Sequence, residues 1–235
     1  MGRHFEVRAA AMAATAKAKS AIYMRASKEI YAAAKSGEPD PNSNLALRSA
    51  IEKYRKQCPK DVIDRAIEKA KGGDAVAYIP GRYEFMGPGG SNIVVDTLTD
   101  NVNRALVSVR TIVTRKGGKM ASVAYNFNLL GVLDFKGPKE EEVEEALVLG
   151  DVDVTSITVD EDGEIEATVA PSDLEKAKEA LKGIGVADFD RAETTLLPNE
   201  WIEVSDEDKA KLNAMMSELD EAEDVQAVYT NVSNL

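Results

Sequence analysis

The sequence predicts an α+β protein: an N-terminal helical bundle plus two α/β domains, the second of them ferredoxin-like and inserted into the first. Three observations indicate this fold class. Helix formers with apolar residues at helical spacing fill the first third of the chain, residues 131–197 alternate between strand and helix patterns, and a last helix and strand follow them. The predicted domains are therefore 1–73, then 74–130 together with 198–235, and 131–197.

The first 73 residues should form three helices. Residues 9–35 are mostly strong helix formers, either as one long helix or as two short ones, and Gly37 follows where a helix end favours a left-handed residue. A second helix is predicted at 45–57, and Pro59 suits the first turn of a third. We expect these helices to pack as a small bundle.

The spacing of apolar residues predicts which faces pack. The expected buried positions are Ile22, Ala26, Ile30 and Ala34 in the first helix and Leu47, Ala50, Ile51 and Tyr54 in the second. Arg25 and Lys28 lie off the first stripe and should face water. Residues 2–19 have few large apolar side chains, so this basic arm is expected to stay mobile until it meets a partner.

The region after residue 73 changes from helical to mixed periodicity. Strands are predicted at 93–98 and 121–127, with a helix at 101–116 between them. These elements are too few to close a sheet of their own. The last helix, 206–219, and the last strand, 225–232, should therefore return to complete it.

Residues 131–197 show the clearest order of elements. The expected strands are 131–135, 152–159, 164–169 and 188–196, and the expected helices are 138–149 and 172–181. A turn at 161–163 joins the two middle strands. This βαββαβ order is that of ferredoxin-like folds.

The charged residues are unevenly distributed. Residues 1–72 hold nine Lys and six Arg against eight Asp and Glu, a net charge of +7, although the chain as a whole has −12. Residues 131–235 hold eight basic and 29 acidic residues, a net charge of −21. Such polarity favours an oriented encounter with a polyanion over a small-molecule substrate, although a solvated charge gradient would have the same composition.

A nucleic acid, either duplex DNA or ribosomal RNA, is the partner that the basic region fits best. The aromatic content of 6% argues against base stacking on single strands, so we expect phosphate contacts with weak sequence preference. The candidate nucleic-acid-binding residues are Arg3, Arg8, Lys17, Lys19, Arg25, Lys28, Arg48, Lys53, Lys56, Lys60 and Arg65. Cations that could extend this surface are Arg104, Arg110, Arg115, Lys116 and Lys119.

Groups suited to catalysis are scarce. His4 is the only histidine, and Cys58 is the only cysteine, which excludes a disulfide or a thiolate zinc site within one chain. Lys56 and Lys60 could lower the thiol pKa, but without a histidine nearby an unreactive thiol is favoured. The glycine-rich segment 87–90 lacks the Lys-Ser/Thr ending of phosphate loops and is favoured as a tight turn. We predict no catalytic residue, no metal and no cofactor.

Several polar residues are explained by helix capping. Asp100 and Asn101 stand where a helix begins after a strand, so capping is favoured over ligand contact. Carboxylates at 140–145 and 206–208 could bind a divalent ion, but their positions at predicted helix N-termini explain them without one.

No apolar run is long enough to span a membrane, and no cleavage pattern follows the Ala-rich start. A cytoplasmic protein without a membrane partner is expected. The sequence leaves its oligomeric state open.

Three motifs in the middle of the chain point to a family. They are Tyr83-Glu84 with Gly87-Pro88-Gly89-Gly90, then Leu98-Thr99-Asp100-Asn101 with Asn103-Arg104, then Gly117-Gly118 with Ser122-Val123 and Tyr125. Further matches occur at Gly2, Pro39-Asp40-Pro41, Pro59-Lys60-Asp61 and Asp224-Val225-Gln226. Over nearly the whole chain the sequence resembles the YebC/PmpR family, particularly its YeeN-like branch.

Two positions depart from the family pattern. The usual Gly-His-Ser-Lys-Trp start is Gly2-Arg3-His4-Phe5-Glu6 here, and Cys58 stands where the family commonly has Met before Pro-Lys-Asp.

The resemblance implies three domains and no catalysis. It also implies a DNA-binding transcriptional regulator or, as for some relatives, a translational activator on the ribosome.

Two classes of function follow. The first is a non-enzymatic nucleic-acid binder, on duplex DNA or on ribosomal RNA; the second is a protein-binding adaptor that uses the acidic α/β body. The sharpest site hypothesis concerns the turn 57–60, where Lys56 and Lys60 flank a stiff Pro-containing tip that could enter a phosphate-lined cleft. An ordinary turn between helices is the alternative.

Overall fold

The computed structural model describes residues 16–72 and 76–235. Its helices are α1 (Ala16–Lys35), α2 (Leu45–Tyr54), α3 (Lys60–Lys71), α4 (Val102–Arg115), α5 (Glu140–Leu149), α6 (Leu174–Gly183) and α7 (Asp206–Asp220). Its strands are β1 (Ile79–Met86), β2 (Asn92–Thr99), β3 (Lys119–Met120), β4 (Phe127–Lys136), β5 (Val154–Val159), β6 (Glu164–Val169), β7 (Arg191–Pro198) and β8 (Val225–Thr230). The predicted α+β class is confirmed.

The described chain forms two compact units. One is Phe127–Leu197, and the other combines the preceding residues with Pro198–Leu235. The helical bundle and the sheet that follows it therefore lie in the same unit. The division into three domains at the predicted boundaries stays a prediction.

Helices α1, α2 and α3 pack through the apolar faces that the sequence indicates. The buried side chains include Ala26, Ile30, Ala34, Leu47, Ala50, Tyr54, Ile63, Ala66 and Ala70. Asn44 caps helix α2: its side chain accepts the Leu47 N–H at 3.0 Å and so satisfies one of the free amides of the first turn. In the described residues α1 is a single helix; the predicted start at residue 9 lies outside them.

A four-stranded antiparallel sheet follows the bundle, in the order β3-β1-β2-β8. The last strand pairs with β2, with Ile93 opposite Thr230 and Val94 opposite Tyr229. Side chains of the sheet, α4 and α7 share one core, which includes Phe85, Ile93, Val95, Val109, Val113, Leu212, Met215 and Leu219. Strand β8 thus belongs to this sheet although more than a hundred residues separate it from β2.

The predicted strand at 121–127 is wrong. The chain forms a short 3₁₀ turn at Ala124–Asn126, and extended pairing resumes only with β4. Glu84 Oε2 accepts the N–H groups of Val123 and Ala124, each at 2.7 Å, so these amides are bound by a carboxylate instead of a neighbouring strand. Strand β1 was not predicted, because Pro80 and Gly81 near its start weaken the strand pattern.

The ferredoxin-like order predicted for the remaining elements is confirmed. The sheet order is β5-β6-β4-β7, and α5 and α6 contribute to the core. Leu133, Phe135, Leu147, Ile165 and Leu181 are fully buried there. The structure moves boundaries by a few residues without changing any element.

Candidate nucleic-acid interface

The segment that joins α2 to α3, residues 55–60 with the first residue of α3 included, is named here the α2–α3 turn. Its backbone closes tightly, because the N–H groups of Gln57 and Cys58 both donate to the carbonyl of Tyr54, at 2.9 and 2.8 Å. Pro59 has φ −59° and ψ 145° and starts α3 at Lys60. The ring fixes the backbone angle, so the turn is stiff.

Side chains of the α2–α3 turn alternate between solvent and core. Lys56, Gln57, Pro59 and Lys60 are exposed, whereas Cys58 is 6% exposed and packs in the core of the bundle. Burial raises the pKa of the Cys58 thiol to about 11, so the thiol stays protonated at neutral pH. The turn therefore exposes two lysines to solvent on either side of the buried, protonated Cys58.

The expectation that Lys28 faces water is wrong. Lys28 is 9% exposed; its Nζ lies 3.0 Å from Asp224 Oδ1 and donates to the carbonyl of Glu223 at 2.9 Å. Arg25, also expected in water, is half-buried and donates to the main-chain carbonyl and the carboxylate of Asp220. Helical spacing within α1 could not reveal the segment between α7 and β8 that covers these side chains.

Other predicted cations also have acceptors within the protein. Lys53 Nζ lies 3.0 Å from Glu29 Oε2, which also accepts the Tyr54 hydroxyl at 2.6 Å. Arg65 pairs with Asp61 one helical turn away, and Arg48 donates to the carbonyls of Pro41 and Asn42.

The remaining candidate nucleic-acid-binding residues fall into two groups, those exposed to solvent and those outside the described part of the chain. Lys19, Lys56 and Lys60 are exposed to solvent. Arg3, Arg8 and the Lys17 side chain lie outside the part of the chain that the structure describes.

Arg104 and Asp224 are central residues whose connection the sequence did not reveal. Arg104 binds Asp224 with two nitrogens, Nε to Oδ2 at 3.0 Å and Nη2 to Oδ1 at 2.8 Å, and Nη2 also reaches Asp100 at 2.8 Å. Asp224 thus joins α4 and, through Lys28, α1. Burial alone would raise the pKa of Asp224, but hydrogen bonds from Arg104, Lys28 and Thr99 hold it below its ordinary value. Both residues lie in the family motifs, and these motifs were the sequence signal that could have identified them.

Aromatic contacts also join α1 to the residues that precede β1. The rings of Tyr31 and Tyr78 meet edge to face with centroids 5.6 Å apart, and the Tyr31 hydroxyl accepts the N–H of Val76 at 3.1 Å. Lys28 lies over the Tyr78 ring, with Nζ 5.6 Å from the centroid. These contacts bind residues 76–78 to the helical bundle.

The cations around α4 form a smaller exposed surface than their number suggests. Arg115 and Lys116 both pair with Glu218 of α7, whereas Arg110 and Lys119 are exposed. This part of the unit offers fewer available cations to phosphate than the composition implies.

The glycine-rich segment is a tight turn packed against the start of α7. Gly89 has φ +65°, and a Cβ there would lie 2.7 Å from a methyl carbon of Val204, so glycine is required on both grounds. Asn101 caps α4 by accepting the Arg104 N–H at 3.0 Å.

Within residues 16–72 and 76–235, no group of three acidic, histidine or cysteine side chains could hold a metal ion, and no helix is long and apolar enough to cross a membrane.

Comparison with known proteins gives two family matches that together span most of the chain. Residues 3–73 match the TACO1/YebC protein N-terminal domain, and residues 78–232 match the TACO1/YebC second and third domain. A protein of Mesoplasma florum named "Probable transcriptional regulatory protein Mfl546" is 48% identical over 237 residues, covering 99% of this chain and 100% of the relative.

Two further relatives agree. The protein of Escherichia coli K12 named "Probable transcriptional regulatory protein YeeN" is 43% identical over 239 residues, the full length of both chains. The crystal structure of the conserved hypothetical protein Aq1575 from Aquifex aeolicus superposes with a TM-score of 0.76 at 28% identity, covering 91% of this chain and 89% of that one. The resemblance drawn from the motifs is thereby confirmed, and the chain belongs to the TACO1/YebC family.

Proposed function

We propose that this protein is a non-enzymatic nucleic-acid-binding regulator of gene expression, and that duplex DNA is its target. The observation that carries the proposal is the α2–α3 turn, a stiff element that presents Lys56 and Lys60 to solvent around the buried Cys58. The names of the relatives, which call them probable transcriptional regulatory proteins, support the same role.

The distribution of charge supports binding through the bundle. Residues 16–72 hold nine Lys and four Arg against seven Asp and Glu, a net charge of +6, whereas residues 127–197 hold six basic and 19 acidic residues, a net charge of −13. A phosphate backbone is attracted to the first region and repelled by the second. Because exposed lysines act as point charges, they would contact phosphates and contribute little sequence preference.

Ribosomal RNA is the second candidate target. A net charge of −12 is unfavourable for a stand-alone DNA binder, but it is less costly for a factor that places one basic region into a large RNA. An adaptor that binds proteins through its acidic α/β body is the candidate from another class.

The test replaces Lys56 and Lys60 with Glu in the full chain. We expect folding to change little, because exposed charges contribute little to stability. Affinity for a duplex of about 30 base pairs should fall by roughly tenfold or more at moderate salt, as each lost phosphate contact also removes its counterion release. Fluorescence anisotropy with the duplex and co-sedimentation with ribosomes, at matched salt, measure the two targets separately.

The control replaces two exposed lysines outside the bundle, Lys139 and Lys182, with Glu. Equal losses of affinity in the two double variants would reduce the effect to bulk charge and contradict a role for the α2–α3 turn. Loss of ribosome binding with no effect on duplex binding would replace DNA by RNA as the target, and no effect on either would favour the adaptor.

A further inference from the structure

The segment Asp220 to Asp224, named here the acidic turn, binds the two cations of α1 that the sequence assigned to phosphate contacts. Lys28 Nζ lies 3.0 Å from Asp224 Oδ1 and 3.9 Å from Glu223 Oε1. Arg25 Nη2 donates to the carbonyl of Asp220 and lies 3.3 Å from its carboxylate. Carboxylates of the chain thus occupy the positions that phosphate oxygens would take.

Asp224 does not depend on Lys28 to remain paired. Arg104, from α4 of the same α/β region, holds both oxygens of the Asp224 carboxylate at 2.8 and 3.0 Å. A buried charge left without a partner is strongly destabilising, and that cost is avoided here when Lys28 leaves. The contact between α1 and the acidic turn can therefore open without leaving an uncompensated buried carboxylate.

Arg25 is incompletely satisfied in this contact. Its Nε is buried and, among the described residues, has no hydrogen-bond acceptor, while Nη2 is used by Asp220. An arginine that binds phosphate can use two parallel N–H groups, and a buried unsatisfied donor costs free energy. The Asp220 side chain is 55% exposed, yet burial raises the pKa of its carboxyl above the ordinary value, so separation would return this carboxylate more fully to water.

The chain provides a place about which α1 could move away. Residues 76–78 are held to the bundle by Tyr31, so they would move with it. Strand β1 begins at Ile79, followed by Pro80 and Gly81, and its pairing with β2 holds it in the sheet. A rotation of the bundle would therefore be absorbed at the backbone where Tyr78 joins Ile79.

We propose that the acidic turn is an autoinhibitory contact: it occupies Arg25 and Lys28 as a phosphate backbone would, and a bound nucleic acid displaces it and takes over both cations. The inference rests on the proposed function, since it assigns a regulatory element to the same interface. Binding then gains two phosphate contacts and loses the intramolecular ion pairs. The net affinity is set by the difference between these two sets of interactions.

The first experiment compares two full-length variants that remove the same charge. Asp220→Asn with Asp224→Asn weakens the acidic turn, and Glu144→Gln with Glu145→Gln removes two exposed carboxylates on α5. With a 30-base-pair duplex as probe at moderate salt, the acidic-turn variant should bind roughly tenfold more tightly than the α5 variant, because binding no longer has to break the intramolecular ion pairs.

The second experiment follows the contact without relying on affinity. Spin labels at Ser36→Cys and Ser217→Cys, both exposed positions, are placed in a Cys58→Ala background, and their separation is measured with and without duplex. One narrow distance distribution is expected in the free protein at low salt. A second, longer distance should appear when duplex is added.

The outcomes separate the two proposals. Equal duplex affinities of the two variants, or an unchanged label distance with duplex bound, would overturn the autoinhibitory contact while leaving nucleic-acid binding in place. If no variant binds duplex, the proposed function with DNA fails, and the labels still decide the contact: a second distance produced by salt alone supports release, and a single distance at all salt concentrations overturns it.

Discussion

Asp224 is a buried carboxylate whose pKa lies below its ordinary value because Arg104, Lys28 and Thr99 donate to it against the opposing effect of burial. A carboxyl group with a lowered folded pKa stabilises the protein above its unfolded pKa, and this contribution is lost as pH falls through the folded pKa. We expect Asp224→Asn to lower the free energy of unfolding by about 3 kcal/mol at neutral pH, since two cations lose their charged partner.

The pH dependence of that loss is the measurement. Urea unfolding of the wild type and Asp224→Asn should differ most near neutral pH and converge only as the pH falls through the lowered pKa of Asp224, where the wild-type carboxyl also protonates. Asp162→Asn, at an exposed turn position, is the control and should stay within about 0.5 kcal/mol of the wild type. A difference that does not change with pH would contradict the assigned ion pairs.

Glu84 determines the path of residues 121–126 by accepting the N–H groups of Val123 and Ala124. Glu84→Ala should lower the free energy of unfolding by about 2 to 3 kcal/mol, because it leaves two amides without their charged acceptor. Hydrogen exchange should then accelerate at Val123 and Ala124 before it does elsewhere in the sheet. Glu84→Gln, which keeps a carbonyl oxygen at the same place, should recover part of the loss; a Gln variant as unstable as the Ala variant would argue against these hydrogen bonds.

At the scale of elements, α7 and β8 complete the sheet formed by β1 and β2. Deleting residues 206–235 removes the antiparallel partner of β2 and the buried side chains of Leu212, Met215 and Leu219. Loss of this apolar burial should destabilise that sheet well before the ferredoxin-like one. Hydrogen exchange should therefore rise more in β2 than in β6, and a larger rise in β6 would contradict the pairing.

Elements also differ in how well sequence patterns predict them. Asn44 and Asn101 cap helices α2 and α4, and the cap at Asn101 was predicted from the local sequence. Strand β1 was missed because Pro80 and Gly81 are poor strand residues, yet pairing with β2 along its whole length overrides that preference.

At the scale of the whole molecule, binding should depend on where charge is placed more than on how much there is. Changing Lys56 and Lys60 to Glu and changing Glu144 and Glu145 to Lys both alter the net charge by about four, in opposite directions. If the bundle makes the contact, the first change should weaken duplex binding by roughly tenfold or more, and the second should alter it by less than about threefold at physiological salt. Anisotropy titrations at matched ionic strength measure both. Changes of equal size and opposite sign would instead indicate a response to net charge.

Local patterns in the amino-acid sequence predict the α+β class, the apolar faces of the bundle, the βαββαβ order and the family, because each depends on local periodicity, capping or motif order. The site was predicted less completely. The exposed lysines of the α2–α3 turn follow from the helix pattern, but the burial of Lys28 and Arg25 does not.

Only the tertiary structure brought Lys28, Arg104 and Asp224 together and directed residues 121–126 onto Glu84. Lys28 and Asp224 are 196 positions apart, and no periodicity of α1 contains information about the segment that covers it. A side chain off the apolar stripe of a helix is hydrated unless another element packs over it. That element, with its carboxylates, is determined by the folded chain as a whole.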